Sequence, residues 1–201
     1  MKQHCARWRG LLDALDRLTG MCGQMLTFAG RSRATLTTVD LSSAVDETVK
    51  LVARTLPKDR AIDVKLAPDA VSVRADKTQL SQVVMNLVIN AAEATQPDGH
   101  VAVSTDVRMC DGRDLDDAIV RAELTGRRCA VLTVQDDGPG MSPETLASIF
   151  QPFFTTKPRG RGLGLSTTLG IVRQHGAALS VRTAAGAGTT FVAWFPLAEP
   201  P

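Results

Sequence analysis

The segment Asp76 to Ala94, DKTQLSQVVMNLVINAAEA, constrains this chain more than any other, because it has a helical pattern that leaves polar side chains among apolar ones. Leu80, Val83, Val84, Leu87 and Ala91 recur at helical spacing on one side, and Met85 and Ile89 lie on the other. Between them Asn86, Asn90 and Glu93 fall at i, i+4 and i+7, a single stripe of the same helix. A buried carboxamide without a partner costs roughly 1–3 kcal/mol, so the stripe has to be satisfied. Two solutions are open: an internal network of protein hydrogen bonds, or a metal with a polar ligand. Amide and carboxylate oxygens are hard donors, of the kind that hold Mg²⁺ while phosphates complete the octahedron.

Two further stretches carry chemistry. From Val131 the chain reads VLTVQDDGPGM, a β-branched strand running into Asp136, Asp137, Gly138, Pro139 and Gly140. This is either a hairpin turn or a carboxylate delivered to the end of a sheet. In the second case Asp136 could accept a hydrogen bond from the exocyclic amine of adenine, where guanine would present a carbonyl. The glycines let backbone approach a base without a Cβ. Further on, PRGRGLGLSTTLGIVRQHG places Gly160, Gly162 and Gly164 ahead of an amphipathic helix expected from about Leu163 to His175. Free N–H groups at such a helix start can cradle phosphate. Alone this pattern is weak: it is neither the dinucleotide fingerprint nor the Walker loop.

The order and spacing of these pieces say more than any one of them. Asn86 and Asn90, then Asp136, Gly138 and Gly140, IFQPFFTTK from Ile149 to Lys157, the glycine run from Gly160 to Gly164, and GAGTTF from Gly186 to Phe191 resemble the boxes of the catalytic and ATP-binding domain of sensor histidine kinases. The resemblance covers about residues 38 to 197. It implies an α/β fold, the two-layer sandwich of the Bergerat ATP-binding type shared with gyrase and Hsp90, in which a mixed sheet packs on helices. It also implies ATP and Mg²⁺ as ligands. Asn90 would be the principal metal ligand with Asn86 and Glu93 beside it, and Asp136 the adenine anchor. Gly162, Leu163, Gly164 and Leu165 would line the triphosphate side, with Thr156, Lys157 and Arg161 contributing from a lid spanning Ser148 to Arg161, while Thr189 would help hold the adenine. Phe150, Phe153 and Phe154 could pin that lid to the body.

Two departures from the family pattern move charge. Glu93 stands where the family often has Lys or Arg, and Arg161 where it often has Thr. Positive charge would then reach the phosphates from Lys157, Arg159 and Arg161, at least one of them solvated until nucleotide arrives. The ATPases of the superfamily carry a Glu, as general base for water, where this chain has Asn86. An amide takes no proton at neutral pH. The resemblance therefore implies phosphoryl transfer to a nucleophile brought by a partner, a reaction that asks for positioning and charge stabilisation.

In the N-terminal part, Leu11, Leu15, Leu18, Cys22, Met25 and Ala29 recur as an a/d seam on a helix expected from Gln3 to Arg31. Residues 1–37 resemble the second helix of the family's dimerisation and phosphoacceptor hairpin, and 38–201 the ATP-binding domain. A homodimer through that helix, a separate phosphoacceptor-helix domain and a response regulator are the partners implied. None of the three histidines looks like an acceptor. No acidic residue follows His4, and too few residues separate it from Val39 for one helix down and another back. His100 lies in a turn, and His175 is expected to cap a helix end, where a cation is favoured. The expectation is a kinase part truncated ahead of its acceptor helix, unable to phosphorylate itself. The alternatives are a signalling scaffold that binds ATP without catalysis and a serine kinase of the anti-sigma-factor type.

Composition narrows the rest. The chain has 201 residues, 44% of them apolar and 22% charged, room for one globular domain and a helical appendage. A net charge of +2, 4% aromatics and no Tyr offer nucleic acid neither an electrostatic footprint nor a stacking platform. No apolar run is long enough to span a membrane and no signal peptide opens the chain, so a cytoplasmic location is expected. Cys5, Cys22, Cys110 and Cys129 lack metal spacing and are expected to be reduced. Elsewhere we expect a helix capped by Asp40 or Ser42 and ending near Leu56, and strands at Ile62–Leu66, Val71–Arg74 and Val101–Arg108. A capping box of Asp76 with Gln79 should start the Asn-bearing helix, and a closing hairpin should span Leu179–Thr183 and Thr189–Phe195. The polar segment Cys110 to Arg128 is expected to be a solvated excursion between strands or, failing that, a docking surface.

Overall fold

A computed structural model describes residues 34–56, 60–157 and 160–198. The expected N-terminal helix, its seam, His4, Cys5, Cys22 and Arg159 lie outside the described residues. A six-stranded mixed sheet has the order β2 (Ala61–Lys65), β4 (His100–Met109), β6 (Arg128–Asp136), β8 (Thr189–Pro196), β7 (Ala178–Thr183), β5 (Ala118–Val120). Only β2 and β4 run parallel; the other pairs are antiparallel. Helices α1 (Leu41–Ala53), α2 (Lys77–Ala94) and α4 (Gly164–Gln174) cover one face, while the short α3 (Pro143–Ser148) follows β6. This is the two-layer α/β sandwich expected.

Helices α1 and α2 begin where their caps dictate. Asp40 accepts from the Ser42 N–H at 3.0 Å, which settles which residue caps α1, and α1 stops at Ala53, short of the expected Leu56. Asp76 accepts from the Thr78 and Gln79 N–H groups. The second arm of the expected capping box does not form. Gln79 Oε1 is buried without a partner, and the Asp76 N–H instead donates to His175 Nε2 at 3.1 Å. His175 Nδ1 meets the Ile171 carbonyl at 2.8 Å, so that nitrogen donates while Nε2 accepts. His175 stands at the C-cap of α4, as expected, with both ring nitrogens engaged. Buried His175 thus ties the end of α4 to the start of α2.

The main core lies between helices and sheet. Leu80, Val83, Val84, Leu87, Val88 and Ala91 of α2 pack on Val101 and Val103 of β4 and on Leu132 and Val134 of β6. Met85, on the other side of α2, is 36% exposed, so this helix is not buried all round.

Two elements depart from expectation. Thr37–Asp40 forms β1, which pairs antiparallel with β3 (Ser72–Ala75), where no strand was expected ahead of the helix. Thr37, Thr38 and Val39 are β-branched and suit a strand, but the run is short and its partner lies more than thirty residues away along the chain. The segment 110–128 is not a solvated excursion. It forms a 3₁₀ turn at Gly112–Leu115 and the edge strand β5 on β7, and its Leu115 and Leu124 join Cys129, Val131, Val192 and Trp194 in a second core on the far face of the sheet. Cys110 and Cys129 are buried there as free thiols. Burial, with Cys110 beside it, pushes the Cys129 thiol up to about 11, so it stays protonated and inert.

Val120 of β5 is 6% exposed and packs on the helix side of the sheet. Val120→Ala should therefore lower stability by ~1.5 kcal/mol, the transfer value of two methylenes, in urea unfolding. A change near zero would mean that the segment is dispensable to the fold.

Candidate functional site

A cavity of about 650 Å³ opens between α2, the start of α4 and the loops that follow β6. That is the size range of small-molecule and cofactor sites. Asn86, Asn90 and Glu93, on α2, all line it. Asn86 Nδ2 donates to the Gly164 carbonyl at 3.0 Å and to Thr168 Oγ1 at 3.3 Å. The first carboxamide is therefore satisfied largely by protein, and it fixes the start of α4 against α2. At that start Leu163, the N-cap, makes no side-chain capping bond. The first N–H groups of α4 have no intrahelical partners and are available to an anion.

Asn90 and Glu93 are held differently. Lys157 Nζ lies 2.6 Å from Glu93 Oε2 and 3.5 Å from Asn90 Oδ1, so both oxygens already face one cation. Lys157 is thus partnered in this structure. Among the described residues no group of three or more His, Cys, Asp or Glu side chains forms a metal cage. Two hard oxygens converging on one positive charge fit a Mg²⁺ ion that takes its remaining ligands from phosphate and water.

On another wall, β6 ends at Asp136, which pairs in register with Thr189 of β8. Asp136 is 4% exposed, and its Oδ1 accepts from the Gly138 N–H at 3.0 Å. Burial holds its carboxyl above the ordinary value, against the opposing pull of the Gly138 and Thr189 backbone. A carboxylate desolvated at the edge of a cavity favours a ligand that donates. The following loop is tied to the β7–β8 hairpin, because the Met141 N–H donates to Thr183 Oγ1 at 3.0 Å and the Gly186 N–H to the Pro139 carbonyl at 2.7 Å. Thr183 Oγ1 also contacts Thr189 Oγ1, placing Thr189 beside Asp136.

Gly140, Thr156, Lys157, Arg161, Gly162, Leu163, Gly164, Leu165 and Thr189 line the cavity with the residues of α2 and Asp136. Gly138 does not. It sits behind the wall, where a Cβ would come within 2.9 Å of the Ala94 carbonyl oxygen. Of the three phenylalanines expected to pin the lid, Phe150 and Phe154 pack against the core, but Phe153 is 55% exposed with φ +68°. Its N–H donates to the Gly162 carbonyl at 2.8 Å, so backbone pairing anchors that turn in place of its ring. Sequence reasoning missed an apolar wall of Ile89, Met141, Ile149, Phe154 and Phe191, suited to a flat ring. These residues come from several elements, and only the tertiary fold brings them together.

The family model of histidine kinase-, DNA gyrase B- and HSP90-like ATPases matches residues 75–199. Among curated relatives, the sensor histidine kinase ZraS of Salmonella typhimurium is 31% identical over 184 residues, 90% of this chain and 36% of that protein. The chain thus spans little more than a third of that relative's length. The mycobacterial sensor histidine kinase MprB superimposes with a TM-score of 0.65 at 27% identity, over 83% of this chain and all of that one. ShkA, solved at full length in complex with AMPPNP, gives a TM-score of 0.70 at 25% identity, over 96% of this chain and 39% of its own. Among the described residues no helix is long and apolar enough to cross a membrane. With more than half of the chain matched and the sheet order, helix layer and cavity in place, the chain belongs to the family of histidine kinase-, DNA gyrase B- and HSP90-like ATPases.

Proposed function

We propose that this chain is the ATP-binding catalytic part of a sensor histidine kinase, binding Mg-ATP and passing the terminal phosphoryl group to an imidazole on a phosphoacceptor-helix domain, from which a response regulator takes it. One observation carries the reading: a hard-oxygen pair already holding a cation, a bare helix start and a buried carboxylate all line a single cavity. Asn90, with Glu93 and Asn86 beside it, would hold Mg²⁺, which supplies charge neutralisation on the phosphates. The start of α4 from Gly162 to Leu165, with Lys157 and Arg161, would receive the phosphates. Asp136 and Thr189 would orient adenine against the apolar wall. Asn86, committed to Gly164 and Thr168, offers no base to water, which favours transfer over hydrolysis.

The reading is tested by mixing the full chain with a separately produced phosphoacceptor-helix domain and ATP labelled in its terminal phosphate. Acid-labile phosphohistidine should appear on the added domain and fall at least tenfold with Asn90→Ala. Nucleotide binding without transfer to any acceptor would favour a binding scaffold, and phosphoserine would favour the serine-kinase class.

A further inference from the structure

Lys157 belongs to the segment that closes one side of the cavity, yet its ammonium rests on α2, against the Glu93 carboxylate and the Asn90 amide oxygen. Those are the two oxygens best suited to a divalent cation, and the ammonium satisfies both. Resting on the nucleotide reading above, we propose that Lys157 is a resident counter-ion that competes with the divalent metal for Asn90 and Glu93, and that metal binding there releases it to pair with the terminal phosphate.

Three features support such an exchange. The pair is formed but not sealed: the side chains of Lys157 and Glu93 are 34% and 49% exposed, so water competes and the contact is weak enough to open. Charge balances on both sides of the exchange. Before it the ammonium faces the carboxylate; afterwards the metal faces the carboxylate and the ammonium faces phosphate. The carboxylate of Glu93 on α2 also finds a physical role. Glu93 gives the site a carboxylate that a metal can use, and leaves the phosphate-seeking cation to the loop ahead of α4. Asn86 keeps its place through the exchange, since its amide nitrogen is bonded to Gly164 and Thr168 of α4.

The signature is a pair of opposite effects from two partners of one ion pair. With ADP, which lacks the terminal phosphate, binding to the full chain is followed by calorimetry while free Mg²⁺ is varied. Lys157→Gln removes the competitor and should lower the Mg²⁺ concentration for half-maximal binding by about threefold or more. Glu93→Gln removes a metal oxygen and should raise it by a similar factor. With ATP at saturating Mg²⁺, Lys157→Gln should also narrow the preference for ATP over ADP by about fivefold or more. Shifts of the two variants in the same direction, or unshifted Mg²⁺ dependence with nucleotide binding intact, would overturn the proposal. Failure of the unmodified chain to bind either nucleotide at any Mg²⁺ concentration would instead retire the nucleotide site on which it rests.

Discussion

Asp136→Asn should weaken ATP binding by ~1.5–3 kcal/mol, the range for a hydrogen bond to a charged group, and yet raise the thermal stability of the nucleotide-free protein. The first effect, a loss of roughly 10- to 150-fold, follows from replacing an acceptor-only carboxylate with an amide whose nitrogen end repels the adenine amine. The second follows from burial. A carboxyl held above its ordinary value in the folded state binds its proton more tightly there than in the unfolded chain. Its stabilising contribution is complete below the ordinary carboxylate range and lost as pH rises through the raised value. At neutral pH the ionised Asp136 therefore works against the fold. An amide removes that charge while keeping the acceptor for the Gly138 N–H. The gain in unfolding temperature should be present at pH 7 and shrink in acid. In the unmodified protein, ATP affinity should begin to fall at a less acidic pH than an ordinary carboxylate would require. Calorimetric titration with ATP and GTP, paired with thermal unfolding at several pH values, reads all of this. Unchanged ATP affinity, or undiminished preference over GTP, would remove Asp136 from the adenine site.

How far the sequence reveals this fold depends on whether each determinant is local. Helix α2 is legible because its cap, Asp76, and its 3.6-residue apolar repeat are written in consecutive residues. The strand into Asp136 and the closing hairpin are legible for the same reason, and so is the polar set around the cavity. Asn86 shows where the logic of a buried amide divides. Its Nδ2 is met by the Gly164 carbonyl and Thr168, whereas Asn90 Oδ1 is met by the Lys157 ammonium. No local pattern could assign which was which, because Gly164 and Lys157 are brought in from far along the chain.

What was not legible is decided by pairing at a distance. Strand β1 exists because β3 offers it an edge, and β5 because β7 does. The apolar residues of the 110–128 segment keep neither helical nor strand period. Leu115 and Leu124 are buried by meeting Trp194 and Val192 on a sheet face that sequence alone would leave to solvent. The second contact of His175, which caps α4 as expected, was hidden for a related reason. A histidine at a helix end suggests a cation interacting with the dipole, and only the folded chain shows a backbone N–H from Asp76 aimed at its second nitrogen.

Gly140→Ala should cost ~2–5 kcal/mol of stability, the largest loss expected of any change in the site. Its φ of +65° lies in the left-handed region, where an L side chain loses ~1–2 kcal/mol. Its neighbourhood adds a second cost, since a Cβ built there runs into the Ala184 carbonyl, reaching its carbon at 2.8 Å and the Gly188 carbonyl oxygen at 3.0 Å. Both obstacles are backbone, so neither can swing aside, and overpacking of this kind costs ~1–3 kcal/mol. Gly186 separates the two terms. Its φ is +80° but a Cβ there meets nothing within 4 Å, so Gly186→Ala should show only the conformational cost. The difference between the two variants in urea unfolding measures how tightly the loop after β6 is wedged against the β7–β8 hairpin. That wedge holds Asp136 beside Thr189, so Gly140→Ala should also weaken ATP binding under conditions where the variant remains folded, while Gly186→Ala should not. Equal stabilities for the two would mean that the hairpin yields freely, and that the adenine side of the cavity is not built by this contact.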